Sequence, residues 1–547
     1  MQNKLDSFFS RYEFLIPLFI FLIFLAASLP GIRWGAPALW NPDELIWRVD
    51  QALGGYMQFD VTEPDFNYPS LPKTIMYLIG SVTYGLGFST FAFIVSARIF
   101  SGILGALVGG LVYLTARTLG AGKFTSALAG VLYITSGVAV ANSHFAHNDL
   151  YLQFFTFLCL YFVLKFHYTQ KIGWLFASFV AVGMAASSKY TGVSLVLLPV
   201  GVLTFMNWEY VRGNALRSLG ILVLGALLVI GGYALGTPRL LIAPVEYLSN
   251  AIPAALRFSQ YGFNSGTPIG LFGQWKVFED AVGIFMYYLF LCAFIWFVVQ
   301  LVLYRLGKVD MKHGGGIAIL VMNVILFDLP FLISINYIPR HFIPFVPLLA
   351  VLAALFLDEL VSMARARKLT LVPPVLMSVV FIGVLYSALR LVSVALLFMN
   401  DARIPATDYI AQIRGYGKSI EYTLYPPNVE KKRFSRAHNY PIYFVKYADD
   451  VVPTGGRYEY NLGEKGLLER NTDYFVIDSY TYDRFYTPSV CETNPVECDF
   501  FKRLIAGEVE SYRLLAEFRY QLPAWLPQTS VSAVNPDILI FERVTQP

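Results

Sequence analysis

Four short stretches of this chain carry most of the side chains that could do chemistry. "LWNPDEL" sets two adjacent carboxylates, Asp43 and Glu44, just after an apolar run, with Arg48, Asp50, Asp60, Glu63, Asp65 and Lys73 further along the same polar stretch. "NSHFAHNDLY" supplies His144, His147, Asn148 and Asp149, "SSKYTG" supplies Lys189 and Tyr190, and "NYIPRHFIP" supplies Arg340 and His341. A positioned carboxylate can take a proton from a hydroxyl. Arginine and lysine suit an anionic oxygen, one as a fork and the other as a point charge. Acids and bases thus stand together in these stretches, the residue types that proton transfer and anion binding use. Each residue also has a plainer reading. Asp43 and Glu44 after Pro42 suit the first turn of a helix, Asp149 suits another, Lys189 and Arg340 suit headgroup contacts, and the histidines suit satisfied interface positions.

The elements that must hold these residues are membrane helices. Of 547 residues, 56% are hydrophobic and only 14% are charged, against roughly 25% in soluble domains. Runs of about 20 apolar residues predict spans near 14–29, 96–116, 124–142, 150–166, 172–187, 191–207, 217–235, 280–304, 315–336, 342–360 and 371–398, eleven in all. The first, preceded by Lys4 and Arg11, reads as an uncleaved anchor rather than a signal peptide. Segment 73–93 is apolar but contains Gly80, Gly85 and Gly87, and it reads as an interfacial or re-entrant helix. With that assignment the connections on one side hold fourteen basic residues and the short ones on the other side only Lys189 and Arg340, which makes the first side cytoplasmic. The candidate groups then gather at the outer boundary, where charge is costly unless paired or solvated and so hints at function. Asp328 alone falls well inside a span, either bonded to backbone donors or facing a polar cavity.

From about Asp401 charge rises and short apolar strands ("YPIYFVKY", "YFVIDSY", "DILIFERV") alternate with helical stretches ("ATDYIAQIRGYG", "DFFKRLIAG"). The expected organisation is a transmembrane domain over 1–400, its first outer loop at 30–95 carrying interfacial helices, and a small α/β domain over 401–547 outside the cytoplasm. Cys491 and Cys498 in that domain are a disulfide or two free thiols according to compartment. A net charge of +4 with no clustered basic stripe argues against nucleic acid as a partner. No zinc spacing and no D-x-D is present, so no metal site or required cofactor is expected, although Asp43, Glu44, Asp149 and the nearby histidines have the chemistry to hold a divalent ion.

Taken in order, "NPDE", "FNYPSLP", "SARIFSGILGAL", "HFAHNDLYLQFFTFLCLYF", "SSKYTG" and "YIPRHFIPFVPLLAVLAAL" resemble the polyprenyl-phosphate-dependent glycosyltransferases of the GT-C superfamily, in the branch of protein O-mannosyltransferases and lipid A aminoarabinose transferases. The resemblance covers about residues 10–400. It implies a GT-C fold with two amphipathic helices in the first loop, and a lipid-phosphate-linked sugar donor. It also implies an acceptor on the outer face: a protein, a lipid or a polysaccharide. By the same resemblance Asp43 is the catalytic base or acceptor-orienting acid with Glu44 beside it, Asp149 the second acid, and Arg340, with His341, the phosphate element. Lys189, Tyr190, Lys73, Tyr68, Arg48, His147 and Asn148 complete the expected donor-binding set. Two departures stand out. Lipid A transferases place an arginine three residues after the first acid, where this chain has Ile46, and "NKPPL" where it has "NYPSL", so that Tyr68 stands in place of a phosphate-binding lysine. Both argue against lipid A as the acceptor. The rival readings are a transporter or flippase, in which the acids bind a proton or cation, and a scaffold whose outer domain binds a partner. A transporter predicts ionisable groups near the midplane and related halves, and no internal repeat is evident.

Overall fold

A computed structural model describes residues 13–56, 66, 68–260, 271–332, 338–440, 463–493 and 495–544. Lys4, Arg11, Asp60, Glu63, Asp65 and most of the expected strand "YPIYFVKY" lie outside them. The described chain is mostly helical and forms two compact units, one built from the described residues of 13–32, 44–260 and 271–392 and the other from those of 33–43 and 393–544.

In the first unit the long apolar runs become helices because a chain in lipid must satisfy its backbone groups within itself. These are α1 (Leu15–Ser28), α4 (Thr90–Thr118), α5 (Lys123–Thr135), α6 (Asp149–Thr169), α7 (Ile172–Ser188), α8 (Ala215–Gly236), α10 (Ile284–Arg305), α11 (Gly314–Leu332), α12 (Val346–Ala366) and α13 (Val372–Met399). Between α1 and α4 lie two shorter helices, α2 (Ile46–Leu53) and α3 (Leu71–Gly85), and α9 (Leu271–Val282) precedes α10. At 15 residues α3 reaches about 22 Å, short of the roughly 30 Å hydrocarbon core. The run expected as a span at 191–207 is not one helix. It is a 3-10 turn at Tyr190–Val196, a short α-turn and a π-turn ending at Met206.

α6 and α12 are mostly buried, whereas α8, α10 and α13 are largely exposed and apolar, the pattern of central and lipid-facing helices. Where α7 meets α8 the contact is backbone to backbone. A Cβ on Gly183 would sit 2.2 Å from the Val229 carbonyl oxygen, and one on Gly232 would sit 2.5 Å from that of Val180. A side chain at either position would meet the backbone of the other helix, and α7 ends five residues after Gly183, at Ser188 beside Lys189.

The second unit holds a five-stranded sheet in the order β2-β1-β3-β5-β4, with β1 at Ser419–Tyr422, β2 at Arg436–Asn439, β3 at Tyr474–Asp478, β4 at Tyr512–Phe518 and β5 at Ile538–Arg543. β1 runs parallel to β2 and β3, and β5 antiparallel to β3 and β4. Two apolar cores form within it: one holds Ala406 and Ile410 of α14 (Arg403–Gln412), the other Phe500, Phe501 and Leu504 of α15 (Pro495–Ile505). Cys491 and Cys498 are joined by a disulfide beside the second core.

Candidate functional site

Asp149 is the first residue of α6, where the helix dipole favours an acid, and its side chain is buried. Three basic side chains from three different turns meet its carboxylate. His147 Nδ1 lies 2.8 Å from Oδ2, Lys189 Nζ donates to Oδ1 at 2.8 Å, and Arg340 Nε stands 3.7 Å from Oδ2. Lys189 arrives because α7 ends at Ser188 and the chain turns extended at Lys189. Arg340 arrives on a 3-10 turn, Pro339–Phe342, which it shares with His341 immediately before α12.

Second contacts hold those turns. Asn148 Nδ2 donates to the Ser188 carbonyl at 3.2 Å, tying the Asp149 turn to the end of α7. Gln153, one helical turn after Asp149, donates to the Ile343 carbonyl at 2.6 Å just past the Arg340 turn and accepts from the Tyr133 hydroxyl. The Tyr68 ring packs edge-on to the His147 ring with centroids 5.2 Å apart. Tyr190 donates to the Phe66 carbonyl at 2.7 Å. The start of α3 is moored nearby: Ser70 N donates to Thr237 Oγ1, which also bonds the Ser187 hydroxyl, and Lys73 lies buried in that first turn. Thus Asp149, His147, Lys189 and Arg340 form one cluster, with Tyr68 and Asn148 in contact with it.

Glu44 has a different place from the catalytic one expected beside Asp43. Its carboxylate accepts from Arg98 Nε at 2.9 Å and Nη2 at 2.8 Å and from Ala146 N at 2.8 Å, with no solvent access. Leu45 N donates to the Ala146 carbonyl, so the first loop is stitched to the residue before His147. These bonds tie Glu44 to α4 and to the turn before α6. Asp43 belongs to the second unit, half-buried, with its N–H donated to Asn41 Oδ1 at 3.1 Å. Arg48 lies over the ring of its neighbour Trp47, 3.8 Å from the centroid. His144 is held structurally, its ring nitrogens facing the carbonyl oxygens of Val140 and Pro30.

Beside the Arg340 turn is a cavity of about 250 Å³, walled by Trp275 and Phe278 of α9, Tyr287, Phe290 and Phe294 of α10, and Phe342 and Phe345. Asp328 of α11 is on its wall, among apolar and aromatic side chains, so this is not the polar cavity weighed for it. Arg390 of α13 sets the α9 side by donating to the carbonyls of Ala281 and Asp280 at the end of α9 and of Ser136 at the end of α5. Among the described residues no group of three His, Cys, Asp or Glu side chains is placed to hold a metal ion.

Sequence reasoning passed over Arg98, Gln153 and Arg390, although each is a polar residue inside an apolar run, which is the signal for such a role.

Comparison with known proteins fits this arrangement. Residues 73–240 match the family model of dolichyl-phosphate-mannose-protein mannosyltransferase. An uncharacterized protein of Aquifex aeolicus is 27% identical over 176 residues, 31% of this chain and 34% of that protein, so the chain matches about a third of the relative's length. Among solved structures, ArnT from Cupriavidus metallidurans bound to undecaprenyl phosphate superposes with a TM-score of 0.51 at 13% identity, over 96% of this chain and 97% of that one. The oligosaccharyltransferase of Archaeoglobus fulgidus in its apo form gives 0.50 at 11% identity, over 86% and 71%.

Proposed function

From the premise that this multi-pass membrane protein has the GT-C glycosyltransferase fold, we propose that it transfers a sugar from a polyprenyl-phosphate carrier to a hydroxyl acceptor on the outer face of the membrane. The observation that carries the reading is the cluster at Asp149, in which two basic side chains, Lys189 and Arg340, are gathered around one carboxylate next to an aromatic cavity.

A sugar on a lipid phosphate is an activated donor, and its transfer needs charge placed where the departing phosphate gains it. Arg340 offers a planar fork to two phosphate oxygens, and Lys189, which gives one donor to Asp149, has two more hydrogens to give. Asp149 holds both cations in place, and Asn148, His147, His341, Tyr190, Tyr68 and Lys73 shape the surroundings. The cavity beside Phe342 takes the first isoprene units of the carrier. Asp43 is the base: the acceptor oxygen attacks the anomeric carbon, the bond from that carbon to the phosphate oxygen breaks, the lipid phosphate leaves with the electron pair, and the hydroxyl proton passes to Asp43. One displacement inverts the anomeric centre.

The C-terminal domain is read as lying outside the cytoplasm, a placement supported by the excess of basic residues in the opposite connections and by the Cys491–Cys498 disulfide, a bond that persists in oxidising compartments. The transporter reading is not favoured, since the fold is that of a transferase family and the clustered groups Asp149, Lys189 and Arg340 sit at helix ends and turns.

The purified protein in bilayer nanodiscs, given a panel of polyprenyl-phosphate sugars and membrane extract, is expected to yield a glycosylated acceptor of inverted configuration and free polyprenyl phosphate by mass spectrometry and NMR. Asp43→Asn should fold and lose transfer. Absence of transfer from every carrier-linked sugar, or retention of configuration, overturns the proposal.

A further inference from the structure

Between Arg519 and Asp537 the C-terminal domain carries seventeen residues, "YQLPAWLPQTSVSAVNP", without one charged side chain. The stretch leads from β4 to β5 and is braced along its length. Leu526 N donates to the Pro523 carbonyl at 3.0 Å, closing a turn over 523–526, and the Gln528 amide donates to the carbonyls of Pro523 and Leu526 at 3.2 and 3.0 Å. Asn535 Nδ2 donates to the Tyr520 carbonyl at 2.8 Å and ties the base of the loop. Leu522 and Leu526 on either side of the turn are buried, whereas the Trp525 ring between them is 73% exposed. A short, braced turn thus drives one large aromatic ring outward.

The turn lies against the end of the last span. The Ser393 hydroxyl of α13 donates at 2.7 Å to the carbonyl of Pro527, two residues after Trp525. Ser393 comes 21 residues after Val372, the first residue of α13, which at about 1.5 Å per residue is about 31 Å along the helix. A hydrocarbon core is about 30 Å thick, and α13 starts just after the basic group Arg365, Arg367 and Lys368, which suits a headgroup boundary. Ser393 therefore stands where the span passes from acyl chains to headgroups. Two residues of backbone reach at most about 7 Å, so Trp525 is held close to that depth. The surface of α13 beside it is exposed and apolar, as a face that meets lipid must be.

Tryptophan suits this depth because its ring is apolar while its indole N–H still reaches water or a headgroup oxygen. A charge in the same stretch would lose solvation there, and the stretch has none. A ring already ordered by its turn loses little further freedom on entering the interface. We propose that Trp525 and the turn that presents it are a membrane-interface anchor of the C-terminal domain, with the lipid bilayer itself as the partner. The inference depends on α13 as a span and not on the identity of donor or acceptor. A peptide or sugar stacked on the same ring needs it in water, and is the contrary outcome of the test.

The test uses the full-length protein in nanodiscs with its eight tryptophans replaced by fluorotryptophan. Trp525→Phe, an exchange at an exposed position, identifies the Trp525 fluorine resonance by its disappearance, and Trp525→Tyr does so as well. Two relaxation agents are then compared, a phospholipid spin-labelled near the headgroup end of its acyl chain and a water-soluble gadolinium chelate. The Trp525 signal is expected to be lost with the labelled lipid and to keep most of its intensity with the chelate. Equal or stronger broadening by the chelate overturns the inference, because the ring then faces water as a soluble partner requires. A signal untouched by either agent overturns it too, because the ring is then covered by protein.

Discussion

Glu44 and Arg98 form a two-pronged ion pair in which neither side chain has any solvent access. Each makes one further bond, since Glu44 accepts from Ala146 N and Arg98 donates to the Ile32 carbonyl. Removing one partner strands a buried charge, a loss of about 3–5 kcal/mol, whereas replacing both by apolar groups strands none. Arg98→Met should therefore lower the thermal midpoint of the detergent-purified protein far more than the double variant Arg98→Met with Glu44→Leu. Equal midpoints for the single and double variants would sink the idea that the pair is a closed unit.

Arg390 does a similar job for two helix ends at once. Its guanidinium meets carbonyls at the C termini of α5 and α9, the end of a helix where a cation is favoured. Gly137 and Gly283, both with φ of +84°, turn the chain away at those two ends, and a Cβ on either would come within 3.4 Å of Arg390. Arg390→Met takes this donor from the buried Ser136 and Ala281 carbonyls, about 1–3 kcal/mol each. Since α9 carries Trp275 and Phe278 of the cavity wall, the variant should also bind polyprenyl phosphate more weakly. Unchanged affinity in an isothermal titration would mean that the cavity does not take the carrier.

In the C-terminal domain Asp473 offers a reading in pH. Burial pushes its carboxyl up, but the hydrogen bond from Lys418 Nζ at 2.9 Å and those from the N–H and hydroxyl of Ser419 outweigh it and hold the group below the usual aspartate value. A carboxyl depressed in the folded state adds stability above its unfolded value, about 3.9, and that stability is lost as pH falls through the lower folded value. Lys418→Met should thus be less stable than wild type at neutral pH, with the gap in thermal midpoint narrowing below about pH 4. A gap that stays constant from pH 7 to pH 3 would rule out the linkage.

How much of this could be read from the sequence differs by kind of information. Hydrophobic runs located the helices well, as with Asp149–Thr169 against an expected 150–166, because the requirement to bury backbone polar groups in lipid acts on each segment alone. The acids and bases at helix ends were visible for the same reason: charge is rare there. What stayed hidden was pairing across the chain. Nothing local says that Glu44 will be taken by Arg98, that Asp43 will pack with a domain beginning near residue 393, or that the apolar run after Lys189 will break into 3-10, α and π turns. Gln153 lay between these cases. A glutamine in "DLYLQFFTF" is conspicuous by type, but its link to the Ile343 carbonyl depends on a partner 190 residues away.

Arg340 and Lys189 approach the same carboxylate by different chemistry, and their variants should separate. Arg340→Lys keeps the charge and loses the fork, which at a two-oxygen phosphate site is not a conservative change. It should raise donor KM and cost about 10²-fold in kcat/KM, the range for loss of one donor to developing charge. Lys189→Met removes a point charge that gives only one of its three hydrogens to Asp149. Its loss should fall more heavily on the salt dependence of donor binding, because a point charge acts through a field that ions screen. Asp149→Asn releases both cations from their anchor, 2.8 and 3.7 Å away. It should leave free polyprenyl phosphate bound as tightly or more tightly while transfer falls, since the positive charge remains and only its placement is lost. Competition by added polyprenyl phosphate measures this directly. Weaker product binding in Asp149→Asn would show that the acid contacts the substrate itself and does not act through Lys189 and Arg340.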